Sequence, residues 1–100
     1  MWELYVASFF AGAFAANGVP HFVKGVTGQK HMTPFGRPSS AVVNVAWGWA
    51  NFVVAAGLLA VVRSHIRLHP LRTMCLVGAG VLIMGLLLAM TWSKHPEYNK

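Results

Sequence analysis

Apolar residues fall into three long blocks separated by two basic connections. Trp2–Val23 holds Glu3 at its start and otherwise only Ser8, Asn17 and His21 as clearly polar side chains; Ala41–Val62 is free of charge and carries two amides, Asn44 and Asn51; Met74–Trp92 is free of charge and almost wholly aliphatic. A helix rises about 1.5 Å per residue, so about 20 apolar residues cross a hydrocarbon layer of about 30 Å. Inside that layer the backbone must satisfy its own hydrogen bonds, which selects helices over open strands. The pattern predicts an all-α integral membrane protein, one domain over 1–100, with transmembrane helices over about 2–23, 41–62 and 73–92. The first block reaches the required length if Pro20 and His21 sit at headgroup level. It lacks the basic start of a cleaved signal peptide, since no Lys or Arg precedes Lys24.

The connections differ in character. Lys24–Ser40 reads KGVTGQKHMTPFGRPSS, with three glycines, two prolines, three cations and His31. Loops of this length without structure of their own are usually functional or disordered; the apolar anchors Val26, Met32 and Phe35 and the turn residues predict an ordered one. Ser39 or Ser40 is placed to cap the second helix. Arg63–Arg72 (RSHIRLHPLR) is short enough to hold the second and third helices as an antiparallel hairpin turning at Pro70. Three crossings put the termini on opposite sides. Lys24, Lys30, Arg37, Lys94 and Lys100 then share one side, and Arg63, Arg67 and Arg72 the other. The excess of positive charge places the first loop and the C-terminus in the cytoplasm.

Helical spacing assigns faces. Ala7, Ala11, Ala15 and Gly18 align on the first helix, and Gly78, Gly85 and Ala89 on the third. Small residues so spaced allow helix backbones to approach closely in lipid. The second helix aligns Asn44, Gly48, Asn51 and Ala55, with Trp47 beside the stripe and Trp49 opposite. An amide without a partner is costly in hydrocarbon, so both Asn side chains are expected to face protein, hydrogen bonded between helices or lining a cavity. Trp2 and Trp92 suit the membrane interfaces.

Composition narrows the chemistry. Hydrophobic residues make up 56% of the chain and charged residues 10%, against about 25% charged in an average soluble domain. Mean hydropathy is +0.55. Eight Lys and Arg face only two acids, Glu3 and Glu97, and there is no Asp. A Ser-His-acid triad lacks its acid, and Gly25…Gly28-Gln29-Lys30 lacks the spacing of a phosphate loop. Proton-coupled small multidrug exporters need a carboxylate within the membrane, which the three spans do not offer. The lone Cys75 excludes an internal disulfide. His65 and His69 are four apart, but Arg63, Arg67 and Arg72 around them oppose a metal cation; no metal and no cofactor is expected, and no nucleic acid.

Unusual residues cluster between Asn17 and Asn51. Asn17 and His21 share a helix face around Gly18 and Pro20, close to the basic loop. The candidate ligand-binding set is Asn17, His21, Lys24, Lys30, His31, Arg37, Asn44, Trp47 and Asn51, directed at an anion. Cations beside a membrane also attract anionic lipid without a dedicated site, at about 1 kcal/mol each.

Three runs, Pro20-His21-Phe22-Val23-Lys24-Gly25, Thr33-Pro34-Phe35-Gly36-Arg37-Pro38 and Asn44-Val45-Ala46-Trp47-Gly48-Trp49 with Asn51-Phe52, cover about a third of the chain. They resemble an uncharacterised family of small bacterial integral membrane proteins. The resemblance implies that the end of helix one, the first loop and the start of helix two act as a unit, and it carries over no catalytic role. The function expected is a small non-enzymatic multi-pass protein of the cell membrane, in a bacterium the inner membrane. Its first loop would bind anionic lipid headgroups or a partner protein, within a homo-oligomer or as an accessory subunit of a larger complex. The alternatives are a transporter or channel with an Asn-lined path and a lipid-modifying enzyme using His21 or His31.

Overall fold

The computed structural model of the chain describes residues 1–94; Glu97 and Lys100 lie outside the described residues. The first apolar block forms helix α1 (Trp2–Val26), which runs through Pro20 rather than breaking there. Its end is set by Gly28, at φ 79°, a left-handed conformation that glycine adopts without steric cost. The N–H of Gly28 bonds to the carbonyl of Gly25 and that of Gln29 to the carbonyl of Lys24, a Schellman closure. Helix one therefore extends a turn beyond the predicted Val23, and the basic loop is correspondingly shorter.

The loop contains a small β-hairpin, so the fold is mostly helical but not all-α. Strand β1 (His31–Thr33) pairs antiparallel with β2 (Gly36–Ser39), with an irregularity between His31 and Thr33. Thr33-Pro34-Phe35-Gly36 makes the turn. Pro34 suits its second position and Gly36 its fourth, and neither Pro34 nor Phe35 has positive φ, as in a type I turn. The Phe35 N–H donates to Thr33 Oγ1 (3.1 Å), tightening the corner. The Arg37–Pro38 peptide bond is cis.

Helix α2 (Ala41–Val61) starts at Ser40, whose Oγ accepts the Val43 N–H at 3.2 Å. A short helix α3 (Arg63–Leu68) leads to α4 (Pro70–Trp92), where Pro70 stands in the first turn, needing no N–H there. Helices α1, α2 and α4 are long and apolar enough to cross a membrane.

The three long helices form a layer with α1 in the middle. Helix α1 lies along both α2 and α4, whereas α2 and α4 barely meet. The predicted hairpin of the second and third helices is thus replaced by two helices flanking the first. The reason is the small-residue surface of α1. Ala7, Ala11, Gly12, Ala13 and Gly18 are all buried, serving a neighbour on each side. Toward α4, a Cβ on Gly12 would overlap the Val77 carbonyl, and one on Gly80 the Phe9 carbonyl oxygen. Toward α2, a Cβ on Gly18 would lie 2.9 Å from the Gly48 oxygen, and one on Gly48 2.7 Å from the Phe22 nitrogen. The expected stripe on α4 shifts accordingly: Gly80 meets α1, while Gly78 and Gly85 face open space. Leu4, Ala7 and Val62 close the end of the layer remote from the hairpin, backed by Leu58 and Ile66. There Arg72 donates to the Tyr5 hydroxyl (3.0 Å), joining the start of α4 to the start of α1.

Replacing Gly80 by Val should weaken the protein by about 1–3 kcal/mol through overpacking against Phe9, whereas Gly78→Val should stay within about 0.5 kcal/mol. Unfolding of the two variants in mixed micelles, followed by helical circular dichroism, measures the contrast.

Candidate functional site

The buried residues of α2 are Asn44, Gly48, Asn51 and Ala55, the stripe expected from spacing. Gly48 brings the backbones of α1 and α2 together, and the two amides on either side of it hold that crossing.

Asn44 is fully buried. Its Nδ2 lies within hydrogen-bond distance of three main-chain carbonyls, those of His31 (3.1 Å), Ser39 (3.2 Å) and Ser40 (3.0 Å). Its Oδ1 lies 2.8 Å from His21 Nδ1 on α1. One side chain thereby joins both strands of the hairpin, the start of α2 and the last turns of α1. About two turns further along α2, Asn51 Nδ2 donates to the Trp47 carbonyl (2.8 Å), and Asn51 Oδ1 accepts from Asn17 Nδ2 (3.1 Å).

The hairpin is fastened to all three long helices. His31 is buried, with its ring centroid 5.2 Å from that of His21 and 4.3 Å from that of Trp92 near the end of α4. This contact brings the first loop and the end of α4 to the same end of the helix layer. It also gives Trp92 a role in fixing the hairpin besides the interfacial one expected. Within the hairpin, Thr33 Oγ1 and Ser39 Oγ are 2.5 Å apart. Ser39 donates to the Gly36 carbonyl (3.1 Å), which leaves Thr33 as the donor between the two hydroxyls.

Burial holds the His31 pKa down to about 4, and the neighbouring Lys24 and His21 push in the same direction. The imidazole is accordingly neutral at pH 7.

Between the hairpin and the α1–α2 crossing is a cavity of about 610 Å³. Asn17 and His21 line it from α1, Trp47 from α2, and Met32, Thr33, Pro34, Phe35, Gly36 and Arg37 from the hairpin. Phe35 stands edge-on to Trp47, with centroids 5.4 Å apart and planes at 82°. Arg37 is exposed, and its Nε donates to Met32 Sδ at 2.7 Å. A second cavity of about 430 Å³, lined by Tyr5, Leu71, Arg72, Cys75 and Leu76, lies at the opposite end and includes none of the candidate residues.

Of the nine candidate residues, Asn17, His21, Arg37 and Trp47 line the larger cavity. Asn44, Asn51 and His31 stand behind it, bonded to or stacked on residues that do or their neighbours. Lys24 is half-buried near His31. Lys30 is exposed before β1 and does not line the cavity. The three loop cations therefore do not converge, because the longer α1 keeps Lys24 on the helix and the turn at Gly28 separates it from Lys30; Arg37 alone reaches the cavity. The lining residues outside the candidate set are Met32, Thr33, Pro34, Phe35 and Gly36, of which Met32 and Phe35 were expected only as apolar anchors of the loop. Their signal was the Thr-Pro-Phe-Gly run, a turn flanked by short extended pieces. Among the described residues, no group of three or more His, Cys, Asp and Glu side chains is arranged to hold a metal.

No protein-family model, curated protein or solved structure matches the chain.

Replacing Asn44 by Ala or by the near-isosteric Asp should each cost about 2–4 kcal/mol. The first leaves His21 Nδ1 and the carbonyls without a partner, and the second turns an acceptor toward carbonyls. Thermal melts followed by tryptophan fluorescence would report the loss, with faster tryptic cleavage at Lys30 as the hairpin detaches.

The lowered pKa of His31 makes hairpin stability acid-sensitive. Above pH about 6.5 the imidazole is neutral folded and unfolded. Between there and about 4, the unfolded chain takes up a proton that the folded chain refuses, so stability falls as pH falls through that window. His31→Gln should flatten the fall. Melting temperatures of both proteins at pH 7.5 and 4.5 test this.

Proposed function

We propose that this chain is a small multi-pass protein of a bacterial inner membrane that binds the anionic headgroup of a membrane lipid beneath its β-hairpin. The observation that carries this reading is the lining of the cavity. It combines one guanidinium, Arg37, with the polar side chains Asn17 and His21 and with the apolar surfaces of Met32, Phe35 and Trp47. Such a lining suits an amphiphile: the cation takes the phosphate, the polar side chains take headgroup atoms, and the apolar surfaces cover glycerol and upper acyl carbons. The cavity lies where α1 ends and α2 begins, at the end of the spans where headgroups are found.

Two hydrogen-bonding facts favour binding over the alternatives. Asn44 and Asn51 are buried, with both ends of each amide bonded within the fold, which argues against an open path lined by these side chains. The Thr33 and Ser39 hydroxyls bond to each other and to the hairpin backbone, so the cavity offers no nucleophile beside His21.

The test is native mass spectrometry of the purified protein in mild detergent with phosphatidylcholine and phosphatidylglycerol of matched chains. Wild type should retain the anionic lipid in preference, and Arg37→Gln should reduce its retention about tenfold through loss of a charge-assisted contact. Equal retention of both lipids, unchanged by Arg37→Gln, rejects the reading.

A further inference from the structure

We infer that the cavity selects, among anionic lipids, those whose phosphodiester carries a hydroxylated head: a polyol phosphodiester of the phosphatidylglycerol kind. The inference rests on the lipid-binding reading and deepens it, because the fold dictates which way each amide points.

Main-chain carbonyls can only accept hydrogen bonds. Three of them surround one end of the Asn44 amide, so that end is Nδ2 and the opposite end, Oδ1, is turned to His21. His21 Nδ1 must then carry the hydrogen. In the neutral imidazole this leaves Nε2 with a lone pair, on a residue that lines the cavity. The second chain of bonds runs in the same sense. The Trp47 carbonyl fixes Asn51 Nδ2, so Asn51 Oδ1 faces Asn17; Asn17 therefore presents Nδ2 to it and turns Oδ1 away. Asn17 also lines the cavity.

Both chains begin at backbone carbonyls and end in acceptors. The α1 wall of the cavity thus offers Asn17 Oδ1 and His21 Nε2, two atoms that need donors, four residues apart on one helix face. The cation stands on the hairpin side instead: Arg37 bonds to Met32 through Nε alone, which leaves its terminal nitrogens for a phosphate. A ligand that satisfies this arrangement brings an anion to the hairpin and hydroxyl donors to α1. A phosphate bearing only an alkyl ester brings the anion and leaves the half-buried Asn17 Oδ1 and the buried His21 Nε2 without donors, a costly outcome.

The experiment uses the purified full chain and a lipid pair of equal charge: phosphatidylglycerol and phosphatidylethanol with matched acyl chains, in equimolar competition read by native mass spectrometry. Phosphatidylglycerol should be retained about tenfold over phosphatidylethanol. Asn17→Ala should bring that ratio toward unity by lowering phosphatidylglycerol retention more than phosphatidylethanol retention, and Arg37→Gln should lower both lipids by the same factor. Equal retention of the two lipids by the wild type overturns the selectivity while leaving anionic-lipid binding in place. Retention of neither overturns both. Free glycerol 3-phosphate displacing bound lipid at equal concentration keeps the polyol phosphate chemistry and removes the lipid reading. The wild-type comparison decides the matter even if Asn17→Ala fails to fold.

Discussion

An amide buried in an apolar layer has to find a partner for each of its ends, and in this protein Asn44 finds them in three separate elements. Its nitrogen gathers the carbonyls of both hairpin strands and of the residue capping α2, and its oxygen reaches across to His21 on α1. Remove that side chain and the hairpin loses its attachment to α2, α1 loses its polar link to the hairpin, and the cavity loses the ring orientation of one wall. An unmet polar group costs more in such surroundings than a met one contributes. The arrangement therefore specifies one geometry more than it adds net stability.

Glycine contacts supply the other half of that specification. In lipid the attraction between helices comes from close approach rather than from removal of apolar surface from water. Gly18 against Gly48 brings α1 and α2 near enough for Asn17 to reach Asn51 and His21 to reach Asn44; Gly12 and Gly80 do the corresponding work toward α4. Polar bonds and glycine contacts depend on each other: a bulkier residue at the crossing would lengthen both amide bonds.

Much of this was legible in the chain itself. Blocks of apolar residues gave the three helices long and apolar enough to cross a membrane, and the spacing of Asn44, Gly48, Asn51 and Ala55 gave the buried face of α2, because a polar side chain in an apolar helix has one tolerable direction. What stayed hidden depended on pairing. Which glycines of α4 meet α1 follows from where two helices touch, and spacing alone favoured Gly78 and Gly85 over Gly80. That α1 lies between the other two is likewise a property of three surfaces together. The hairpin was obscured by its short strands, since three or four residues show no clear alternation. The end of α1 was marked by Gly28, but the polar group from Asn17 to His21 and Pro20 imitated an earlier stop. At the site, residue types identified Asn17, His21, Arg37 and Trp47, while the reach of Lys24 and Lys30 depended on where the helix ended.

The central position of α1 bears on how the protein is made. Of the three long helices, α1 is synthesised first, and it depends on both later ones. It holds Asn17, Pro20 and His21 in its second half, and its polar partners Asn44 and Asn51 lie later in the chain, on α2. The connection from Thr27 to Ser40 leads directly to α2, so the partners of the polar half of α1 are synthesised before α4. Helix α4 meets α1 through the close contacts of Gly80 and Val77 and the Arg72–Tyr5 bond, and supplies no partner to the amides of Asn17, Asn44 or Asn51. The chain order thus supplies the interface with the most polar groups to satisfy before the one with the fewest.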